Sequence, residues 1–86
     1  MNSKLKNSDT DFLFKAILSL ENEEECYRFF EDLCTSPELK AMSQRLVVAK
    51  MLTEKKVYSE IVKETGASTA TISRVKRACL LYTSDA

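Results

Sequence analysis

Glycine and proline are nearly absent from this chain, and their scarcity restricts its fold more than any other feature does. The 86 residues include one glycine, Gly66, and one proline, Pro37. Sheet-rich folds need many turns, which use both residue types, whereas helices exclude both from their interiors. With 44% hydrophobic and 30% charged residues, the composition predicts a soluble all-α protein. A chain of this length forms one domain and often depends on a partner subunit for stability.

Capping signals and apolar spacing predict five helices. The first begins near Asp9, and Asn22 caps the second, whose first turn, Glu23–Glu25, carries the negative charge that the helix dipole favours. Ser36 is expected to cap the third helix, with Pro37 at its first position. The side chains expected to face inward on these three helices are Phe12, Leu13, Ala16, Ile17 and Leu20; Cys26, Phe29, Phe30 and Leu33; and Leu39, Met42, Leu46, Ala49, Met51 and Leu52.

The last two helices are expected to be joined by a tight turn. Lys55 and Lys56 close the third helix, and a fourth helix runs from Ser59 to Thr65 with Ile61 and Val62 turned inward. Gly66 ends the fourth helix in the left-handed conformation that a Cβ would penalise. Ser68 then caps a fifth helix. Its inward positions are Ile72, Val75 and Cys79.

The last eight residues, CLLYTSDA, interrupt the helical pattern, which is expected to end after Ala78. They resemble the translation of a transposon-end adapter used to prepare sequencing libraries. We therefore expect residues 1–8 to be a frayed N-terminus, residues 9–78 to be the single helical domain and residues 79–86 to be a non-native tail.

Charge is distributed unevenly along the chain although the net charge is zero. Residues 1–38 carry four Lys or Arg against nine Asp or Glu, whereas residues 39–78 carry nine against three. A clustered basic surface attracts polyanions even when the whole protein is neutral. Two alternatives remain open at this point: the signs alternate by chance, or the glutamates at 23–25 form a patch that binds a partner protein.

The sequence lacks the residues and motifs that catalysis, metal binding and membrane insertion require. There is no histidine, no phosphate-binding loop and no nucleophile elbow, so we do not expect an enzyme. Cys26, Cys34 and Cys79 have no C-x-x-C spacing and the chain has no histidine, so a zinc site is not expected. Cys26 and Cys34 would lie about 12 Å apart on one helix, too far to form a disulfide, and the thiols should be small buried hydrophobes. No apolar run approaches the ~20 residues of a membrane span, and the polar start does not lead into a cleavable segment. These features predict a cytoplasmic protein without a metal or cofactor.

The stretch TGASTATISRVKR, residues 65–77, completes the outline of a helix-turn-helix at about residues 58–78, in which a short helix and a tight turn precede a second helix. Short side chains at the start of the second helix permit close approach to the edges of bases in the major groove, and the cations after them neutralise phosphates. The same spacing also fits an ordinary capped amphipathic helix. The candidate DNA-binding residues are Ser68, Thr69, Ala70, Thr71, Ser73, Arg74, Lys76 and Arg77.

From Leu33 to Arg77 the sequence resembles the core of the tryptophan repressor family, and most of all its TrpR-like, YerC/YecD-type branch. The matching segments are TSPEL, SQRLVVAKML and GASTATISR. The resemblance implies an all-helical, intertwined homodimer of bacterial origin, with two reading helices in adjacent major grooves of a two-fold DNA site, ~34 Å apart. It also places Thr69, Ala70 and Ser73 where the repressor reads its operator.

The resemblance further suggests candidate effector-binding residues. In the tryptophan repressor two arginines and a threonine flank the bound amino acid, and they correspond to Arg45, Arg74 and Thr35. An arginine there could stack on an indole or bind its carboxylate. However, Val75 stands where the repressor has a glycine, and its branched side chain would fill the space of the indole. We therefore do not expect tryptophan sensing, and Arg45 and Arg74 are then structural or phosphate-binding.

The function expected from these observations is sequence-specific DNA binding by a transcriptional regulator, a repressor by family analogy, acting on double-stranded DNA. The alternative is a helical module that binds another protein and makes no direct contact with DNA. The salt dependence of binding distinguishes the two hypotheses, because binding to DNA phosphates weakens steeply as the salt concentration rises.

Overall fold

The structure, a computed structural model, describes the backbone of residues 6–83 and the side chains of residues 6–78. Within that range it contains five helices and no strand, so the all-α prediction is confirmed. The helices are α1 Ser8–Leu18, α2 Glu23–Leu33, α3 Ser36–Thr53, α4 Tyr58–Thr65 and α5 Thr69–Thr83. The chain divides into two compact units, Met1–Thr35 with α1 and α2, and Ser36–Ala86 with α3 to α5.

Side-chain caps fix the starts of both helices in the first unit. The Asn7 side chain accepts a hydrogen bond from the Thr10 amide at 2.8 Å, and Asn22 accepts one from the Glu25 amide at 2.9 Å. The Glu25 carboxylate in turn accepts from the Glu21 amide at 2.9 Å, which resembles a capping box. The predicted cap at Asn22 is therefore confirmed, whereas α1 begins one residue before the expected Asp9.

The first unit has no buried side chain among residues 6–35, although apolar stripes were expected to face inward. Phe12 is 76% exposed and Leu33 is 57% exposed, so both predictions were wrong. Cys26 and Cys34 are free thiols as expected, but they are half-buried rather than buried. Two helices of 11 residues each are too small to enclose a core of their own, so their apolar side chains stay partly exposed on the single chain.

The second unit has a core built by all three of its helices and the turn between α4 and α5. Three of the core side chains, those of Val48, Ile61 and Ile72, are 0% exposed, and Ile61 and Ile72 confirm the inward positions expected for α4 and α5. The buried residues of this core are Val48, Met51, Ile61, Ala67, Ile72 and Val75. Because α3 contacts both α4 and α5, it forms the base on which these two helices rest.

The face that α3 buries matches the predicted one only in part. Leu46 was expected to face inward but is 73% exposed, and Met42 is 39% exposed, whereas Val48 is fully buried. Leu46 and Val48 lie about 200° apart around the helix axis, so α3 is apolar on two opposite faces. Met51, at 5% exposure, confirms its expected inward position, and Ala49 and Leu52 pack against the core as expected. The spacing rule was wrong for Leu46 and Met42 and missed Val48.

Helix α3 ends in a Schellman motif with a lysine at its left-handed position. The Lys56 amide donates to the Met51 carbonyl and the Lys55 amide to the Leu52 carbonyl, both at 3.0 Å. Lys55 has a φ of 61°, a conformation that is favourable for glycine but strained for other residues. The helix therefore stops at Thr53, before the two lysines that were expected to close it.

We expect the Lys55→Gly variant to be more stable than the wild type, with a free energy of unfolding about 0.5–1 kcal/mol higher. The reason is that glycine removes the strain of the left-handed conformation. Thermal and urea unfolding monitored by circular dichroism would measure the difference. Lys56→Gly is the matched control, since it removes the same charge at the next residue, which has no positive φ. An equal stability change in both variants would show that charge, rather than backbone conformation, sets the effect.

Other helix limits also differ slightly from the expected ones. Helix α3 begins at Ser36 itself, and α4 begins at Tyr58, one residue early. Helix α5 continues to Thr83, so the prediction that the helix ends after Ala78 was wrong. The segment after Ala78 contains no glycine or proline, and leucine favours helices, so nothing in it stops the helix. The side chain of Cys79 and residues 1–5 and 84–86 lie outside the described part of the structure.

Candidate DNA-binding surface

The turn between α4 and α5 is fixed by backbone conformation and by one side chain. Gly66 has a φ of 75°, and its amide donates to the Val62 carbonyl at 2.9 Å, as the glycine-ended helix predicted. A Cβ at this position would meet no atom within 4 Å, so glycine is required for its conformation and not for space. The Thr65 hydroxyl donates to the Ile61 carbonyl at 2.7 Å and accepts from the Ala67 amide at 3.1 Å.

Ser68 caps α5, as the sequence predicted. Its hydroxyl accepts from the Thr71 amide at 3.1 Å and donates to the Thr71 hydroxyl at 3.1 Å, while its carbonyl accepts from the Ile72 amide at 3.0 Å. Both hydroxyls are therefore used within the first turn of the helix. Ser68 and Thr71 therefore also shape the start of the helix, and their predicted contact with DNA stays a prediction.

The outward face of α5 combines short side chains with cations. Ile72 and Val75 point into the core at 0% and 8% exposure. At 100° per residue, the residues opposite them on the helix are Ala70, Ser73, Arg74 and Arg77, with Thr69 beside them, and all five are exposed. We call these five residues the reading face. Among the residues of α5 there is no Asp or Glu to offset the cations.

Lys76 is placed differently from the other two cations of α5. Its Nζ lies 5.5 Å from the centre of the Tyr58 ring at the start of α4, a cation–π contact between the two helices. Tyr58 is half-buried against the core. Sequence reasoning gave Lys76 the same role as Arg74 and Arg77 and did not single out Tyr58, since spacing along one helix cannot reveal a contact with the neighbouring helix.

Gln44 of α3 is a second residue whose role the sequence did not reveal. Its side-chain Nε2 donates to the carbonyl of Thr65, the last residue of α4, at 3.0 Å, and this contact is partly buried. Gln44 precedes the buried Val48 by one helical turn, so a polar residue on the inner face of α3 was the available signal. That signal was overlooked because neither Gln44 nor Val48 was among the positions of α3 expected to face inward.

The candidate effector residues are divided between the two units. Thr35 is the last residue of the first unit, whereas Arg45 and Arg74 are exposed residues of the second. Val75, the residue expected to fill the space of an indole, packs in the core of the second unit. The effector set therefore stays a prediction.

Neither a metal-binding cluster nor a membrane-spanning helix occurs in the described part of the chain. No group of three or more Cys, Asp or Glu side chains among the described residues is arranged to hold a metal ion. No helix within that range is both long enough and apolar enough to cross a membrane.

An all-α fold in which a short helix, a glycine turn and a second helix with an exposed face of short side chains and cations follow one another belongs to the helix-turn-helix class. Residues 8–86 match the family model of the Trp repressor protein. The chain belongs to the Trp repressor family, whose members are DNA-binding regulators and not enzymes. The family resemblance and the expected lack of enzymatic activity are thereby confirmed.

Individual relatives support the assignment. The chain is 60% identical to the uncharacterized protein YerC of Bacillus subtilis over 83 residues, which are 96% of this chain and 79% of YerC. The crystal structure of a Staphylococcus aureus protein provisionally described as a Trp repressor superposes with a TM-score of 0.87 at 57% identity, covering 95% of this chain and 82% of that one. A TrpR-like protein from Eubacterium eligens gives a TM-score of 0.87 at 56% identity, covering 94% and 82% of the two chains.

Proposed function

We propose that this protein is a sequence-specific transcriptional regulator, acting as a repressor in the bacterial cytoplasm, that inserts the reading face of α5 into the major groove of DNA. The observation that carries the proposal is the division of α5 into two faces. Ile72 and Val75 anchor the helix in the core, while the reading face is exposed and lacks bulk at its N-terminal end. Short side chains let the helix backbone approach the floor of the groove.

The residues of the reading face have two separate roles in this proposal. Thr69, Ala70 and Ser73 meet base edges, through hydroxyl hydrogen bonds and through methyl contacts with thymine. Arg74 and Arg77 bind phosphates and release counterions, which provides affinity for any sequence. Lys76 adds positive charge near the backbone of the duplex while its contact with Tyr58 holds α4 and α5 together.

The proposed active form is a homodimer. On α3, Leu46 is 73% exposed, Val47 47% and Met42 39%, and in the first unit Leu18 is 84% exposed and Tyr27 62%. Apolar area of this extent is unfavourable in water and is typical of surfaces that a second subunit covers. A two-fold dimer would present two reading faces to half-sites about one helical turn, ~34 Å, apart.

We expect the Leu46→Glu variant to be monomeric at concentrations where the wild type is dimeric, because the carboxylate would be desolvated at the subunit interface. Analytical ultracentrifugation measures the difference. Lys40→Glu is the control, since it places a carboxylate on another exposed position of the same helix and should leave the dimer intact. Dimers of unchanged affinity in Leu46→Glu would exclude this face of α3 from the interface.

The proposed function is tested by selecting duplexes from a random pool with the wild-type protein. Enrichment of a two-fold symmetric site, bound with an affinity that falls steeply as salt rises, supports the proposal. Failure to enrich any site would contradict it. Capture of a protein partner that withstands high salt, in the absence of DNA binding, would favour the interaction module instead.

A further inference from the structure

The hydrogen bond between Gln44 and Thr65 joins the long helix α3 to the point where α4 gives way to the turn. Gln44 and Thr65 are 21 positions apart in sequence, and their contact at 3.0 Å is partly buried. The last four carbonyls of a helix have no partner within that helix, so the Thr65 carbonyl needs a donor from elsewhere. The side-chain amide of Gln44 supplies it.

Thr65 also contacts the turn that follows α4. Its hydroxyl accepts from the amide of Ala67, whose side chain is 2% exposed and belongs to the core. The next residue, Ser68, caps α5 and aligns its first turn. Thr65 is therefore held by Gln44 through its carbonyl and holds Ala67 through its hydroxyl, and Ala67 is the residue before the α5 cap.

We propose that Gln44 is a positioning residue for sequence reading: by holding the Thr65 carbonyl, it sets the position of the start of α5 relative to α3. This inference rests on the proposed function. Hydrogen bonds to base edges require side chains held within about 0.5 Å of their productive geometry, whereas attraction between arginines and phosphates tolerates larger shifts. Removal of the Gln44 hydrogen bond should therefore weaken binding to the selected site more than binding to unrelated DNA.

The experiment compares variants that lack or keep the donor at this position. Gln44→Met keeps the length of the side chain but has no N–H, and Gln44→Glu keeps the shape but presents an acceptor to the Thr65 carbonyl. Gln44→His restores a donor, because histidine Nε2 lies the same number of bonds from Cβ as glutamine Nε2 does. Ser43→Ala is the control, because the Ser43 hydroxyl donates to the Leu39 carbonyl within α3.

The measurement is the ratio of affinities for the duplex selected by the wild type and for a scrambled duplex, with the folded fraction checked by circular dichroism. We expect Gln44→Met and Gln44→Glu to lower this ratio about 3- to 10-fold, the range of a single hydrogen bond. Gln44→His should recover most of it, and Ser43→Ala should match the wild type. If Gln44→Met does not fold, the comparison of Gln44→Glu with Gln44→His still decides the outcome.

Equal losses on both duplexes in the variants without a donor would overturn the inference and reduce Gln44 to a contributor to stability. The inference is also overturned if Gln44→His behaves like Gln44→Met. If the wild-type protein bound all duplexes equally, the proposed function itself would be contradicted. Failure of the inference and failure of the proposed function are therefore distinguishable.

Discussion

The Ile72→Ala variant is expected to lose about 3 kcal/mol of the free energy of unfolding. Ile72 is 0% exposed and is one of three side chains that are fully enclosed between α3, α4 and α5. Removing three carbons there loses their transfer free energy and leaves a cavity that the surrounding helices only partly fill. Since a domain of this size is stabilised by roughly 4–13 kcal/mol, one such substitution removes a large part of the total.

Ser73→Ala is the matched control for this variant. Ser73 is the next residue of the same helix, but it is exposed on the reading face. Its replacement should change the free energy of unfolding by no more than about 0.5 kcal/mol. Urea unfolding of both variants measures the difference. Similar losses in the two variants would mean that α5 is not anchored through Ile72, and the assignment of its outward face would then fail.

The second prediction concerns the two arginines of the reading face. The double variant Arg74→Ala/Arg77→Ala should bind every duplex about 100-fold more weakly than the wild type, about tenfold for each guanidinium removed. The dependence of log affinity on log salt should become shallower by about two, because two fewer phosphates are neutralised. Titration of labelled duplexes at several salt concentrations gives both quantities.

Thr69→Val and Lys40→Ala make this prediction specific. Thr69→Val keeps the shape of the side chain but loses its hydroxyl, so it should alter the preferred sequence while leaving the salt dependence unchanged. Lys40→Ala removes an exposed cation from α3 and should affect binding far less than either arginine does. If all these variants lowered affinity equally on every duplex, the division of the reading face into base-reading and phosphate-binding residues would be wrong.

Local signals predicted the helices and the turn correctly because their causes are local. Asn22 and Ser68 accept hydrogen bonds from amides three residues away, so both partners of each cap lie within one short stretch of sequence. Gly66 is required by its own positive φ, which does not depend on distant residues. The two faces of α5 follow from the spacing of Ile72 and Val75, since a helix with one apolar face has only one way to pack.

The arrangement of α3 was not predictable in the same way. The helix has apolar residues on opposite faces, and both Leu46 and Val48 satisfy a helical repeat. Which of the two is buried depends on where α4 and α5 lie, and that is a property of residues 58–83 and not of α3. The expectation of a helix end after Ala78 failed for a related reason, because an unusual segment was taken as a structural boundary although no residue in it stops a helix.

Helix positions, caps and the exposed face of α5 were therefore fixed by residues within a few positions of one another along the chain. The roles of Gln44 and Lys76 were fixed by folding, because each makes its contact with a helix that is distant in sequence or separated by a turn. Contacts of this kind depend on how whole helices pack together, and helix packing follows from the combined shape of many side chains. For this protein, the composition of the reading face is a local property, while its orientation is a property of the packed core.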